Sequence, residues 1–118
     1  MYIILNSDKT KGTIGISKDA LPTMGDILYT RLIEPKTDVS AEDWVGAVET
    51  TMMVLDVLAP IACRVDSVNP VVIDDPEVIG EDPENLKDGG GWLLRVTVGN
   101  EGLADFNALG QVSEETSG

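Results

Sequence analysis

The residues of this chain that could do chemistry are its carboxylates, 21 aspartates and glutamates in 118 residues, set beside a single cysteine and no histidine. Without histidine the commonest general base, metal ligand and physiological pH switch are all missing. Cys63 lies on the apolar side of a predicted strand and has no imidazole to raise its thiolate fraction, so it reads as a small buried hydrophobe. Carboxylate-pair catalysis of the glycosidase kind needs two acids at a definite separation around a sugar cleft. No pair is singled out by spacing, and aromatic residues, at 4% of the chain, are too few for such a cleft. The expectation is a non-enzyme, with no catalytic residue, metal ligand or cofactor assigned.

The acids are densest between Asp74 and Asp88, where Asp74-Asp75-Pro76-Glu77 is echoed by Glu81-Asp82-Pro83-Glu84. Asp-Pro-Glu is a helix-start signal, since Asp caps, Pro pre-sets the first helical dihedral and Glu meets the positive end. The segment therefore reads as successive turns or single-turn helices in a solvated loop. It lacks the alternating acidic ladder, central glycine and terminal glutamate of a calcium loop. As a functional surface it would dock a basic partner through Asp74, Asp75, Glu77, Glu81, Asp82 and Glu84. Gly89-Gly90-Gly91 precedes a strand among carboxylates that would repel phosphate, so it is expected to be a hinge and not a phosphate loop.

The net charge of −13 is regional: residues 1–36 sum to about +1, and the remainder to −14. Such a field disfavours direct contact with nucleic acid or anionic membranes and favours basic protein surfaces. No apolar run is long enough to span a bilayer, and the Met1 end carries no export-type leader. One cysteine suits a reducing compartment or an assembled particle, and the expected location is the cytoplasm or a virion.

These side chains must be positioned by local elements. Tyr2–Leu5 and Thr13–Ser17 read as strands around a basic turn, and Ile27–Ile33, apolar on both faces, as a strand central in a sheet. Ser40-Ala41-Glu42-Asp43 resembles a capping box, and Ala41, Trp44, Val48, Met52, Leu55 and Leu58 recur at helical spacing until Pro60. They predict one principal amphipathic helix over about residues 41–59, with Met52 and Met53 as core filler. Ile61–Asp66 predicts a strand, extended beyond Asn69-Pro70 by Val71–Ile73, and Trp92–Val98 a further one. Gly99–Gly102 reads as a turn, and Leu103–Leu109 fits either a strand or a short helix.

The expected fold is α+β, a mostly antiparallel sheet of five or six strands with that helix packed on a face. The expected organisation is one globular domain over residues 1–118, with an acidic loop at 74–91 and a C-terminal tail at 113–118. Val45, Met53 and Val57 lie off the main stripe, so the helix would be apolar over a width suited to burial by a partner as well as by the sheet. Val45 and Met53 join the six acids as candidate partner-binding residues. The function these features suggest is a non-enzymatic structural or assembly protein, bound to copies of itself or to other proteins, such as a capsid decoration or head-tail joining protein. The rival is an acidic mimic of nucleic acid that fills the basic groove of a DNA- or RNA-binding protein.

Overall fold

Period-two alternation sets the first hairpin. β1 (Tyr2–Leu5) pairs antiparallel with β2 (Lys11–Gly15), with Ile3 opposite Ile14, while the Asn6 side chain accepts from the Thr10 and Lys11 amides, both at 3.1 Å, and closes the turn. In the computed structural model, which describes residues 1–109, a 3-10 turn at Lys18–Thr23 then leads to Gly25 at φ +81°. β3 (Ile27–Leu32), β4 (Thr37–Val39), β5 (Trp44–Thr50), β6 (Val54–Leu58) and β7 (Cys63–Val68) follow. Two five-residue helices, α1 (Pro70–Asp74) and α2 (Glu77–Glu81), precede β8 (Leu94–Thr97) and α3 (Asn100–Ala108).

The described strands form two antiparallel sheets, one of five in the order β1-β2-β8-β7-β4 and one of three in the order β3-β5-β6. Both contribute to one buried cluster. Leu5, Ile14, Val65, Leu94 and Val96 come from the larger sheet, Ile27, Val48 and Val57 from the smaller, and Val72, Ile79 and Phe106 from α1, α2 and α3. Glycine is required at position 102, where a Cβ would fall on the Ala62 carbonyl oxygen and hold α3 away from the β6–β7 connection.

The expectation of an α+β, largely antiparallel architecture holds, but the single sheet of five or six strands is two sheets of five and three, and the principal helix at 41–59 does not exist. Those residues form β5, a tight turn and β6. The capping-box resemblance at Ser40 is a turn: Asp43 accepts from the Ser40 amide at 2.8 Å, and the Asp43 amide donates to the Ser40 carbonyl at 3.1 Å. Glu42 between them stands at φ +75°, which ends any helical course and aims the chain into a strand. A bulge between Trp44 and Gly46 turns Val45 inward, giving four consecutive buried residues where a strand ordinarily alternates.

β3 lies at the edge of the small sheet and not at a sheet centre, and it exposes Leu28 and Tyr29. Val71–Ile73 is helical and not a strand extension, because Asn69 caps α1 by accepting from the Val71 amide at 3.1 Å, with Pro70 at the first helical position. α3 begins at Asn100, inside the expected turn, and settles Leu103–Ala108 as helix, with Leu109 at its C-cap. The expected tail at 113–118 lies outside the described residues.

Candidate functional site

The most exposed large apolar side chain of the described residues is Met52, 73% accessible at the turn between β5 and β6. This turn contains no glycine, proline or asparagine, and a threonine supplies the closure instead. Thr50 Oγ1 accepts from the Met52 amide at 3.1 Å and the Met53 amide at 3.0 Å, and donates to the Met53 carbonyl at 3.0 Å. The backbone repeats the link, the Thr50 amide donating to the Met53 carbonyl at 2.8 Å. A second clamp comes from the corner before β3: the Thr51 amide donates to the Asp26 carbonyl at 3.0 Å, and the Asp26 amide to Thr51 Oγ1 at 3.1 Å. Gly25 has room here only because it lacks a Cβ, which would stand 2.6 Å from Met52 Cγ. The tip therefore has a fixed backbone while the side chain at position 52 stands in solvent.

Around the tip the small sheet shows solvent an apolar face. Tyr29, Glu49 and Val54 align across β3, β5 and β6, with Trp44 and Leu58 paired further along. Val54, Leu58 and Trp44 are all exposed, and the Arg31 guanidinium lies 5.9 Å from the Trp44 ring centroid. The expectation that Met52 and Met53 fill the core is thus reversed; both face water. Val45 is placed oppositely. It is fully buried, so it has no surface to offer a partner, and it is separated from Met53, which does.

The six acidic candidates share one exposed ridge. Asp74 and Asp75 end α1, Glu77 and Glu81 lie in α2, and Asp82 and Glu84 follow it. The second Asp-Pro-Glu starts no helix. Its Asp82 instead accepts from the Asn85 amide group at 2.8 Å, and its Glu84 from the Lys18 backbone amide at 2.8 Å. No group of three carboxylate or thiol side chains converges among the described residues in a way that could hold a metal ion. Between α2 and β3, Asp26, Glu77 and Glu81 border an open groove.

The ridge is fastened to the large sheet at its two ends. Tyr2 donates to the Pro83 carbonyl at 2.6 Å, and burial, with the nearby charges of Glu84 and Asp82, raises the phenol well above its ordinary range. Asn69, buried at the start of α1, donates to the Gly90 and Trp92 carbonyls, each at 2.8 Å. Arg95 adds a third fastening, donating to the Leu86 carbonyl at 2.7 Å with its guanidinium 4.2 Å from the Trp92 ring centroid. Beside it Lys11 donates to Thr97 at 2.7 Å, and Thr97 donates to Asp66 at 2.6 Å. Lys11, Asp66, Leu86 and Arg95 line a groove of about 460 Å³ together with Ile4 and Val96. Cys63 is buried, and burial together with the charge of Asp66 pushes its thiol up to about 11, which leaves it unreactive at neutral pH.

No nucleophile, general base or metal cluster therefore organises the surface of the described residues; what it presents is a rigid hairpin tip and a fastened acidic ridge. This defines a small α+β protein of two antiparallel sheets and three short helices. The chain belongs to the glycine cleavage H-protein family, whose sequence profile matches residues 2–116. It is 36% identical over 98 residues to the glycine cleavage system H protein of Carboxydothermus hydrogenoformans, covering 83% of this chain and 72% of that one. With the H protein of a Psychrobacter species the identity is 36% over 108 residues, covering 92% and 80%. The crystal structure of an H protein from Mycobacterium marinum superposes with a TM-score of 0.66 at 32% identity, covering 86% of this chain and 80% of that one.

Membership overturns both functions expected from composition. The chain is neither a virus-particle component nor a mimic of nucleic acid, and its location within a virion falls with them. The physical ground for the first had been a helix too widely apolar for one contact. Its apolar residues instead belong to the two faces and the tip of a β-hairpin.

Proposed function

We propose that this chain is a non-catalytic component of a glycine cleavage system that acts by docking to the other proteins of that system. The observation that carries the reading is the family match across almost the whole chain. H-proteins are carriers within the glycine cleavage complex and not themselves catalytic, and they interact with its P, T and L proteins. Two surfaces would meet such partners: the apolar tip at Met52 and Met53, and the acidic ridge of Asp74, Asp75, Glu77, Glu81, Asp82 and Glu84. The ridge steers encounter with basic surfaces and its contribution weakens with salt, while apolar contact at the tip persists.

The group H-proteins carry is lipoyl. Lipoyl is a covalent group carrier, held through an amide to a lysine Nζ, and its use depends on an amine free to project. The tip does not fit it. No lysine occurs between Lys36 and Lys87, so β5, β6 and their turn contain none, and position 52 offers a thioether that cannot form an amide. Of the lysines elsewhere, Lys11 is engaged with Thr97 and Asp66, and Lys9, Lys18, Lys36 and Lys87 all lie outside this hairpin. No step through a lipoyl group is assigned to this chain.

Binding of the full chain to purified P, T and L proteins, followed by interferometry across a salt series, tests the docking function. At least one is expected to bind, more weakly as salt rises. Absence of binding to all three at low salt would refute it.

A further inference from the structure

We infer that this chain, with methionine at position 52 and no lysine in the β5–β6 hairpin, is not lipoylated. The inference rests on the family reading above and concerns what that reading leaves open, whether this member carries the group.

An arm that visits several partners needs a side chain with no packing role on a backbone that does not yield. Position 52 has both properties. Its side chain is the most exposed of the large apolar ones, whereas its backbone amide is bonded to Thr50 Oγ1. The residues on either side fix the turn twice over, Thr50 from within the hairpin and Thr51 through Asp26. None of the five lysines lies in this hairpin. Lys9 is half-buried in the β1–β2 turn, Lys18 starts a 3-10 turn against Glu84, and Lys87 has its carbonyl bonded to Trp92 Nε1 at 3.1 Å beside the acidic ridge.

Methionine at 52 is unbranched and close in reach to lysine, so it preserves the shape of the tip while removing the nucleophilic amine. Without that amine there is nothing to attack an activated lipoyl carboxyl, so no amide forms and no leaving group departs. The remaining side chain is a flexible, polarisable thioether of the kind that suits adaptable apolar contact.

The test is intact-protein mass spectrometry of the full-length chain after incubation with lipoate, ATP and a lipoate-protein ligase, together with Met52→Lys and, as a control for the tip, Met52→Leu. The wild-type chain and Met52→Leu are expected to show no lipoyl adduct. Met52→Lys is expected to gain one, mapped by proteolysis to residue 52. A lipoyl adduct on the wild-type chain, at any lysine, would overturn the inference. So would Met52→Lys remaining unmodified while its circular dichroism and melting match the wild type. Because the side chain is exposed, the variant is expected to fold, and the wild-type measurement decides the covalent question without it. Failure of the binding experiment with P, T and L proteins would remove the docking function and leave this result standing.

Discussion

Replacing Asn69 by alanine should loosen the acidic ridge from the body of the protein, and its size follows from three hydrogen bonds. The side chain is 1% exposed; its amide donates to the Gly90 and Trp92 carbonyls at 2.8 Å, and its oxygen accepts from the Val71 amide at 3.1 Å. Alanine leaves two buried carbonyls without donors, at roughly 1 to 1.5 kcal/mol each, and removes a helix cap worth about 1 kcal/mol. The sum is about 3 to 4 kcal/mol, a large part of the roughly 5 to 15 kcal/mol that holds a chain of this size folded. Asn69→Asp separates the parts. It keeps the cap acceptor but turns carboxylate oxygens toward two carbonyls, which raises the carboxyl above its ordinary value near ~4 in the folded state. A raised folded-state value favours the protonated native form, so stability is present below about pH 4 and is lost as pH rises through the folded-state value. Urea midpoints read from tryptophan fluorescence, with Trp92 beside the change, should show Asn69→Ala destabilised to a similar extent from pH 4 to 7 and Asn69→Asp increasingly destabilised over that range. A loss below about 1 kcal/mol for alanine, or an aspartate variant that strengthens as pH rises, would refute the reasoning.

Three further outcomes are expected. Gly102→Ala places a Cβ on the Ala62 carbonyl oxygen and should cost at least about 2 kcal/mol through displacement of α3, measured by the same midpoints. Tyr2→Phe removes the bond to the Pro83 carbonyl and should cost about 1 kcal/mol at neutral pH. Because the folded-state phenol is raised, the wild-type chain should also lose stability as pH climbs above about 10 while Tyr2→Phe loses less, so equal alkaline losses would count against the buried phenol. Cys63, with its thiol pushed up to about 11, should react with iodoacetamide at pH 8 far more slowly than a free thiol and at an ordinary rate once urea unfolds the chain. Fast labelling of the native protein would contradict its burial.

The elements legible in the sequence were those whose outward positions are polar or small. β2, with Lys11 and Thr13 outward, and β8, with Arg95 and Thr97 outward, alternate in this way, and the antiparallel α+β class follows from them together with the short apolar run of β1. The β5–β6 hairpin was illegible because its outward residues Trp44, Val54 and Leu58 are apolar like its inward ones, which erases the period of two and lets a helical stripe be traced through them. Its turn also hid, since Thr50 closes it through a hydroxyl where Gly, Asn or Pro would have announced a reversal. A signal was present in the β-branched Thr50, Thr51, Val54 and Val57, which favour strand over helix. The acidic ridge is legible as turns and short helices, and all six of its candidate residues lie on the surface.

The β5–β6 hairpin, whose period is hidden in the sequence, and the candidate site coincide for a physical reason. A side chain that must project from a folded body can make no contribution to the core, so no hydrophobic period, cap or turn preference specifies it. At this tip Thr50 and Thr51 supply the closure, Gly25 and Asp26 supply the corner, and the residue between Thr51 and Met53 is left unconstrained by folding. Methionine there satisfies the structure as well as lysine would. The identity of residue 52 is consequently information about what the tip does and not about how it forms. Stability measurements on Met52→Lys should therefore show no change beyond a few tenths of a kcal/mol, and covalent loading is the property expected to respond.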